Sequence, residues 1–287
     1  MRRAPELERH LNSLGVMREA VTAMKSLSAH HVRKARIAAE LARTYREGVA
    51  RFAAVGGRAL ATAGDGGAGL LVFGSELGLC GVYNSQVATS AAQRRAELGL
   101  GPTLCVGQRA ASLLAQRGVE IRQRYAAPGA VEAISDVLLR VAEDVLELYA
   151  QHRLSRFEIV ASRFDGVGLT HPVSSQLLPI VAPAELSVPA RRYVNAEYYA
   201  RAVNREFLYS TLYGVLLDAF ASEHGARLIA SQAAERWLDE RIERLKRQVA
   251  STRRESSTQE VLEIASGARQ MSGRKRSTRA QRASGKR

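Results

Sequence analysis

Two long stretches without proline, one at each end of the chain, constrain the fold more than any other feature. Residues 6–55 contain no proline and two glycines, and residues 197–270 contain no proline and three glycines. Because proline breaks helices, each stretch can form one uninterrupted helix. About seventy helical residues span roughly 105 Å, whereas an α/β domain of the length left between them is only about 30 Å across. We therefore expect the C-terminal helix to extend well beyond its own domain.

The apolar spacing in both stretches predicts that the two helices pair as a coiled coil. Leu7, Leu11 and Leu14 fall at positions i, i+4 and i+7, which places them on one helix face. That stripe continues with smaller side chains at Val21, Met24, Ser28, Val32 and Ala35. The C-terminal stretch keeps the 4-3-4 spacing of a coiled-coil seam at Leu238, Ile242, Leu245 and Val249. Small side chains bury little area per turn, so the N-terminal helix depends on its partner for stability.

The C-terminal seam turns polar near its end. Its next positions in the same register are Thr252, Ser256, Gln259 and Glu263. A helix that faces a hydrophobic core does not do this. One that meets a partner through hydrogen bonds can, so this end of the helix is predicted to contact another subunit.

The middle of the chain alternates between strand-like and helical patterns. Strand-like runs occupy residues 69–75, 102–108, 119–125 and 156–164, with helical patterns at about 84–98, 108–117 and 130–151. This order predicts βαβ units and a mainly parallel sheet, to which residues 171–181 add an antiparallel edge strand. The predicted fold class is α/β: an antiparallel coiled coil of long N- and C-terminal helices with an inserted Rossmann-like α/β domain. The predicted domains are residues 1–56 (N-terminal helix), 69–182 (α/β domain), 197–271 (C-terminal helix) and 272–287 (basic tail).

No residue pattern indicates a catalytic, cofactor or metal site. Gly64, Gly66 and Gly69 form a G-x-G-x-x-G string, but they precede the predicted strand, whereas a dinucleotide site needs them between strand and helix. The six histidines are scattered, and the spacing of Cys80 and Cys105 fits no metal site. Motifs of P-loop, serine-hydrolase and zinc-protease type are absent. We expect a non-catalytic protein without a cofactor or a small-molecule substrate.

Net charge and hydropathy limit where the chain can be located and what it can bind. The net charge is +14, and half of it comes from seven arginines and lysines in residues 272–287, where no acid occurs. Such a segment is predicted to be a disordered tail that could touch nucleic acid or anionic lipid, or simply remain solvated. No run of eighteen apolar residues and no signal-peptide core are present, so the chain is expected to stay in the cytoplasm.

Four short motifs occur along the chain: T-x-E-x-x-E-x-x-x-G-A in residues 258–268, S-E-H-x-A-R in residues 222–227, A-M-K in residues 23–25 and G-L-C-G-x-x-N in residues 78–84. They resemble the C-terminus, an upstream segment, the N-terminal helix and the turn after the first strand of the γ subunit of rotary F-type ATP synthases. The motifs occur in the family's order and spacing over residues 1–271, and the family's fold is the one predicted above.

The resemblance implies a central-stalk rotor subunit. It implies as partners the α3β3 hexamer of F1, the ε subunit with δ as a further candidate, and the c-ring of Fo. Rotation of the c-ring would turn the shaft and change the nucleotide affinities of the β subunits, for ATP synthesis or for ATP-driven ion pumping in reverse. The implied location is the cytoplasmic face of the bacterial plasma membrane, as a peripheral protein.

The resemblance also implies contacts with the β subunit. Arg227, Arg254 and Thr258 match family positions that contact a β-subunit catch loop, and Gln259 adjoins them. Met24, with Lys25 beside it, matches a position near the acidic lever of β. Met24 is equally well explained as coiled-coil packing.

Several positions depart from the family pattern, and two other functions stay open. The departures are His30-His31, Glu76-Leu77, Ser231-Gln232, Trp237-Leu238 and Ser257, which indicate a divergent branch, such as an alternative synthase of its host. The basic tail allows a basic coiled-coil protein that binds nucleic acid or scaffolds a complex, although nucleic acid is not the expected partner. The α/β insert allows a nucleotide-dependent enzyme, although fold alone does not indicate one.

Overall fold

The computed structural model describes residues 3–56, 66–151, 153–180 and 194–284. The described helices and strands alternate in chain order between two long terminal helices. They are α1 (Arg3–Gly56), β1 (Gly66–Phe73), α2 (Tyr83–Leu98), β2 (Thr103–Val106), α3 (Gln108–Gln116), β3 (Gln123–Tyr125), α4 (Ile134–Gln151), β4 (Leu154–Gly166), β5 (Leu169–Leu178) and α5 (Ala196–Ser284). By its internal contacts the chain divides into two compact units. The helical unit comprises Met1–Val21 and Ala234–Arg287, and the α/β unit comprises Thr22–Ala233.

The five strands form one sheet in the order β3-β2-β1-β4-β5. β1 pairs in parallel with β2 and β4, and β2 pairs in parallel with β3. β5 runs antiparallel to β4, as expected for a strand joined to its neighbour by the tight turn between Gly166 and Leu169. The parallel sheet with one antiparallel edge strand is the topology predicted from the sequence.

β1 and β2 are buried on both faces, so they read as apolar runs rather than as alternating ones, whereas the edge strands β3 and β5 are partly exposed. Leu71 and Phe73 of β1 pack with α4 and with the first part of α5. Leu70 and Val72 point to the other face and pack with α2 and α3. The sheet is therefore covered by helices on both sides.

The glycines of β1 have a packing role. A Cβ atom on Gly67 would lie 2.0 Å from the carbonyl oxygen of Leu100, and one on Gly69 would overlap the Phe157 ring at 2.4 Å. Gly66 and Gly69, part of the G-x-G-x-x-G string, lie inside the strand and not at a helix N-terminus. Gly64 is outside the described residues. The structure thus gives Gly67 and Gly69 a steric explanation, and Gly69 is the member of the string that it concerns.

In the helical unit, α1 and α5 pair in opposite directions. Leu14, Leu238 and Leu245 are buried together, and the other seam residues Leu7, Leu11, Val21 and Ile242 pack against them. Arg18 pairs with Asp239, and Glu8 pairs with Arg253 at 2.7 Å. The residue number rises along one helix as it falls along the other, which establishes the antiparallel arrangement in this unit.

In the α/β unit, the same two helices also pair in opposite directions. His31 of α1 stacks on His224 of α5, and Tyr45 donates to Glu206 of α5 at 2.6 Å. Ser28, Val32 and Ala35, predicted seam positions, are buried. The predicted fold class, a coiled coil of terminal helices with a Rossmann-like insert, is confirmed.

The structure differs from the sequence-based expectations in detail. β3 is only three residues long, whereas a strand over residues 119–125 was expected, because residues 119–122 form an irregular approach to the sheet. α5 continues to Ser284, beyond the expected end at residue 271, in contrast to the disorder expected for the tail. The arginines, alanines and glutamine of this segment favour a helix. The backbone hydrogen bonds of a helix form within the helix itself, so they require no buried core. The prolines expected to mark a connector are Pro179, Pro183 and Pro189. Pro179 follows β5 directly, whereas Pro183 and Pro189 lie outside the described residues.

Candidate partner-contact surfaces

The C-terminal part of α5 presents a polar surface to solvent. Arg254, Thr258 and Gln259 are all exposed, on successive turns of one helix in the helical unit. The Thr258 hydroxyl donates to the carbonyl of Arg254 at 2.9 Å, and the Gln259 amide donates to Glu263 at 3.4 Å. Within the described part of the chain, no partner contacts the Arg254 guanidinium. The structure therefore brings these three predicted residues together and leaves the cation available to another subunit.

Apolar side chains are exposed beside this polar group. Val261, Leu262 and Ile264 are each at least 64% exposed. Single exposed leucines are common on protein surfaces. These three lie within one helical turn, with Val261 and Ile264 on one side and Leu262 about 160° around the helix axis from Ile264. Exposed apolar side chains at this density are typical of a segment that contacts another protein. The pattern of seam residues did not reveal these three apolar side chains, because none of them occupies a seam position.

Met24 and Lys25 lie on α1 in the α/β unit, so the structure does not group them with Arg254, Thr258 and Gln259. Both side chains are half-buried. Half-burial fits coiled-coil packing of Met24, and it also leaves part of each side chain accessible. Both interpretations offered by the sequence therefore remain.

Arg227 is buried, in contrast to the exposed position that a direct β contact requires. The residue is 6% exposed, and its Nη2 donates to Glu223 at 2.7 Å. Nη1 lies 3.4 Å from Nδ1 of His224, and both Nε and Nη2 lie 3.5 Å from the carbonyl oxygen of Gly78. The guanidinium is thus engaged inside the α/β unit, and the contact of Arg227 with a partner subunit stays a prediction.

The turn over Arg227 is a surface that the sequence analysis used only as a motif. This turn, residues 75–82, exposes about two thirds of the side chains of Leu77, Leu79 and Val82. Leu79 has φ of 60°, a left-handed conformation that is uncommon for a non-glycine residue. A run of apolar residues inside a predicted loop was the signal in the sequence that could have revealed this surface.

Polar contacts hold the base of the turn. The Asn84 side chain accepts from the Ser75 amide at 3.0 Å and donates to Cys80 Sγ at 3.1 Å. The Glu76 carboxylate accepts the backbone N–H groups of Gln108 at 3.2 Å and Ala127 at 3.0 Å. The pair Glu76-Leu77 departs from the family pattern. In this chain the Glu76 carboxylate links the turn to α3 and to the loop after β3 by hydrogen bonds.

Histidines and a buried ion pair surround Arg227. Burial is the main reason why the pKa of His224 falls to about 3, and the neighbouring charges of Arg227 and His31 lower it further. Burial likewise lowers the pKa of His31, whose Nδ1 has no hydrogen-bond partner. Burial raises the pKa of Glu223, against the opposing effect of Arg227. The cluster contains neutral imidazoles and one ion pair, an arrangement that suits packing rather than proton transfer.

The place where doubly wound proteins bind ligands is filled by the chain itself. Such sites lie beyond the carboxyl ends of the strands, where the strand order reverses. Here that region holds Tyr83, which is 2% exposed and donates its hydroxyl to the Ala219 carbonyl at 3.2 Å. Ser222 of α5 adds a contact to the Ser162 carbonyl of β4 at 3.4 Å. These contacts join α2 and β4 to α5 in this region.

The described residues contain neither a metal-ligand cluster nor a membrane-spanning helix. The described residues include no group of three histidine, cysteine or carboxylate side chains arranged to hold a metal ion. No described helix is long and apolar enough to cross a membrane. A polar depression contains Glu158, but this carboxylate accepts from Arg94 at 2.6 and 2.7 Å and from Ser174 at 3.0 Å. Its charge is therefore already satisfied within the chain.

The fold defines a class of protein: long paired terminal helices with a Rossmann-like insert, whose exposed side chains are available to other subunits. The comparisons with known proteins identify the family. The sequence model of the ATP synthase family matches residues 3–271. The ATP synthase gamma chain of Pelotomaculum thermopropionicum is 30% identical over 92% of this chain and 97% of its own length, and that of Desulforamulus reducens is 26% identical over 93% and 99%. The chain belongs to the ATP synthase gamma-chain family.

Solved structures support the same fold. A chain from the Euglena gracilis mitochondrial ATP synthase, in an OSCP/F1/c-ring structure, aligns with a TM-score of 0.67 over 93% of this chain and 94% of that chain, at 14% identity. A chain from the central stalk/c-ring structure of the Tetrahymena thermophila mitochondrial ATP synthase aligns with a TM-score of 0.55 over 75% and 99%, at 18% identity. At these identities the likeness concerns the fold alone.

Proposed function

We propose that this chain is the central-stalk rotor subunit of an F-type ATP synthase, a non-catalytic component of the complex. The observation that carries the proposal is the relatedness to gamma chains over more than nine tenths of the chain. The exposed patches on α5 and on the turn of residues 75–82 support it, because a shaft works through its surface and not through a pocket.

The proposed partners are the α3β3 hexamer, the ε subunit, with δ as a further candidate, and the c-ring. The solved structures of similar fold come from assemblies described as OSCP/F1/c-ring and central stalk/c-ring, which supports this set. Because the gamma chains it resembles come from bacteria, the proposed location is the cytoplasmic face of the bacterial plasma membrane, where the chain is peripheral.

Rotation would couple the c-ring to catalysis through unequal contacts with identical β subunits. Moving one subunit from about 1:99 to 99:1 between two states needs about 5.5 kcal/mol of differential contact energy. Different faces of an asymmetric shaft can supply that energy. The same coupling allows ATP synthesis, or ATP-driven ion pumping in reverse.

The proposed β contacts on the helical unit are Arg254, Thr258 and Gln259. An arginine facing carboxylates forms charge-assisted hydrogen bonds, which are stronger than neutral ones. Met24 and Lys25 are proposed as further contacts through the accessible parts of their side chains. Arg227 is retained as a proposed contact, although its side chain is buried.

Co-expression with the cognate α and β subunits tests the function. We expect a stable complex with ATPase activity, and its absence with the wild-type chain would count heavily against the proposal. Within that complex, replacing Arg254 and Gln259 by alanine should lower the ATPase rate by roughly tenfold if they supply a charge-assisted and a neutral hydrogen bond. Arg117→Ala, at an exposed arginine of the α/β unit, serves as a control for general loss of charge.

A further inference from the structure

Two buried histidines join α1 to α5 in the α/β unit. His31 on α1 is 8% exposed and His224 on α5 is 7% exposed, and their ring centroids lie 4.5 Å apart. The ring of Phe220 packs against both, at 5.4 Å from His31 and 4.4 Å from His224. Three rings from two helices therefore form the contact between α1 and α5 at this level.

His31 supplies the largest side chain that α1 buries within residues 22–48. The other buried side chains of this stretch are Ser28, Val32 and Ala35. Small side chains remove little apolar area from water, and a helix without its partner is marginal in water. The pairing of this part of α1 with α5 therefore depends strongly on His31. The family resemblance leads us to expect a small residue at this position, so the ring pair is a feature of this chain.

Neither ring can hold a second proton where it lies. Nδ1 of His31 is buried without a hydrogen-bond partner, so a charged ring would leave a buried N–H unpaired. Nδ1 of His224 lies 3.4 Å from Nη1 of Arg227. Because an arginine nitrogen can only donate, that contact requires an unprotonated Nδ1. Burial accordingly lowers the pKa of both histidines.

The groups around the two rings do not offset an added positive charge. The charged and titratable neighbours are His30 and Lys34 on α1, Glu132 before α4, and Glu223 and Arg227 on α5. Both carboxylates are already paired, Glu132 with Lys34 at 2.6 Å and Glu223 with Arg227 at 2.7 Å. A protonated imidazole would therefore meet cations that are closer to it than any unpaired anion among its described neighbours.

We propose that the His31–His224 ring pair is a proton-sensitive joint: it holds α1 on α5 within the α/β unit while both rings are neutral, and acid releases this part of α1. Release exposes both imidazoles to water, where each takes up a proton below about pH 6.5. The closed joint is therefore fully favoured above that pH and loses its advantage as the pH falls. In the helical unit, the buried side chains of the described helix pair are apolar: Leu14, Leu238, Leu245 and Val249. The release is therefore confined to the α/β unit.

Hydrogen exchange of the full-length chain at pH 5, 6 and 7, divided by the intrinsic exchange rates, tests the joint. Because release binds two protons, the protection of residues 28–35 should fall by roughly several hundredfold from pH 7 to pH 5. Residues 7–14 of the same helix should keep their protection, since they pair within the helical unit. Constant protection of residues 28–35 would overturn the proposal. An equal loss in residues 7–14 would also overturn it, because acid would then act on the whole chain.

Variants of the two histidines assign the effect to them. In His31→Gln the loss of protection from pH 7 to pH 5 should shrink to roughly 25-fold, the effect of one proton. His31→Gln combined with His224→Gln should remove the pH dependence. His30→Gln, at the exposed histidine beside the joint, is the matched control and should behave as the wild type.

The comparison uses the change with pH and not the level of protection, so it stays valid where a variant is less stable. If His31→Gln leaves residues 28–35 unprotected at pH 7, the single variant His224→Gln takes its place. A double variant that keeps the pH dependence of the wild type would overturn the assignment to these histidines.

Discussion

At the residue scale, buried polar groups join α1 to α5 in the α/β unit. The rings of His31 and His224 lie 4.5 Å apart between their centroids, and Phe220 packs against both. His31 occupies a position where the family resemblance led us to expect a small residue. The neighbouring charged groups are Arg227 and Glu223 on α5, Lys34 on α1, and Glu132 before α4. A proton added here would place a second cation beside Arg227 in a buried interface.

We predict that acidification destabilises the chain through His224. The pKa of this residue is about 3 in the folded state and near 6.5 when unfolded, so its contribution is fully present above pH 6.5 and is lost as the pH falls. Between pH 6.5 and 5 the loss should be about 2 kcal/mol. The lowered pKa of His31 acts in the same direction.

Urea unfolding at pH 5, 6 and 7 measures this prediction. As the pH falls from 7 to 5, the free energy of unfolding should decrease less in His224→Gln than in the wild-type chain. His30→Gln removes the exposed histidine next to His31 on α1 and serves as the control. Equal slopes for the wild type and His224→Gln would show that this histidine is not linked to stability.

At the element scale, the junction between β1 and β2 depends on a close backbone approach. Gly107 has φ of 99°, and a Cβ atom there would lie 2.6 Å from the carbonyl oxygen of Ser75. Both the conformation and the space require glycine at this position. The sequence showed a glycine before a predicted helix, but only the sheet shows which backbone it faces.

Gly107→Ala should therefore destabilise the α/β unit by about 2–4 kcal/mol, the cost of a left-handed non-glycine residue plus a steric overlap. Gly129→Ala is the matched control, because a Cβ atom at Gly129 meets nothing within 4 Å. Thermal unfolding of both variants measures the difference. A melting temperature for Gly107→Ala within about a degree of the control would contradict the steric argument.

Two leucines of α5, Leu245 in the seam and Leu262 outside it, should separate stability from assembly. Leu245→Ala removes a buried side chain and should lower the free energy of unfolding of the helical unit by about 2–3 kcal/mol. Leu262→Ala changes a side chain that is 64% exposed and should leave stability within about 0.5 kcal/mol. In the complex with α and β, Leu262→Ala should nevertheless weaken binding. If Leu262→Ala binds the α and β subunits as tightly as the wild-type chain does, residues 261–264 do not contact those subunits.

At the scale of the whole molecule, the family match ends at residue 271, and the basic residues 272–287 lie beyond it. Half of the net charge of the chain therefore stands outside the region shared with the family. The structure continues α5 to Ser284, whereas the sequence predicted a disordered tail over residues 272–287.

We predict that a chain ending at Met271 still assembles with α and β. DNA binding by the full chain at low salt should weaken steeply as salt rises and should disappear in the shortened chain, since it reflects only the charge of the tail. Gel filtration and a DNA titration measure the two effects. A shortened chain that no longer assembles would assign the tail to the working shaft, whereas DNA binding retained by residues 1–271 would support the alternative of a nucleic-acid protein.

The sequence by itself determined the elements and their order. Proline-free stretches and apolar spacing depend only on local geometry, so they predicted α1, α5 and the seam at Leu14, Leu238 and Leu245, as well as the alternation that gives a parallel sheet. The motifs predicted the family for the same reason, because a motif is a string of residues and needs no coordinates.

The tertiary structure alone decided which side chains are available. Arg227 and Arg254 are both arginines on one helix, yet the first is buried against Glu223 and the turn of residues 75–82, and the second is exposed. That difference depends on what packs against each turn of α5, and the packing neighbours of Arg227 are distant in sequence. For this reason the sequence could place the working surface on the shaft, but only the structure could separate the buried arginine from the exposed one.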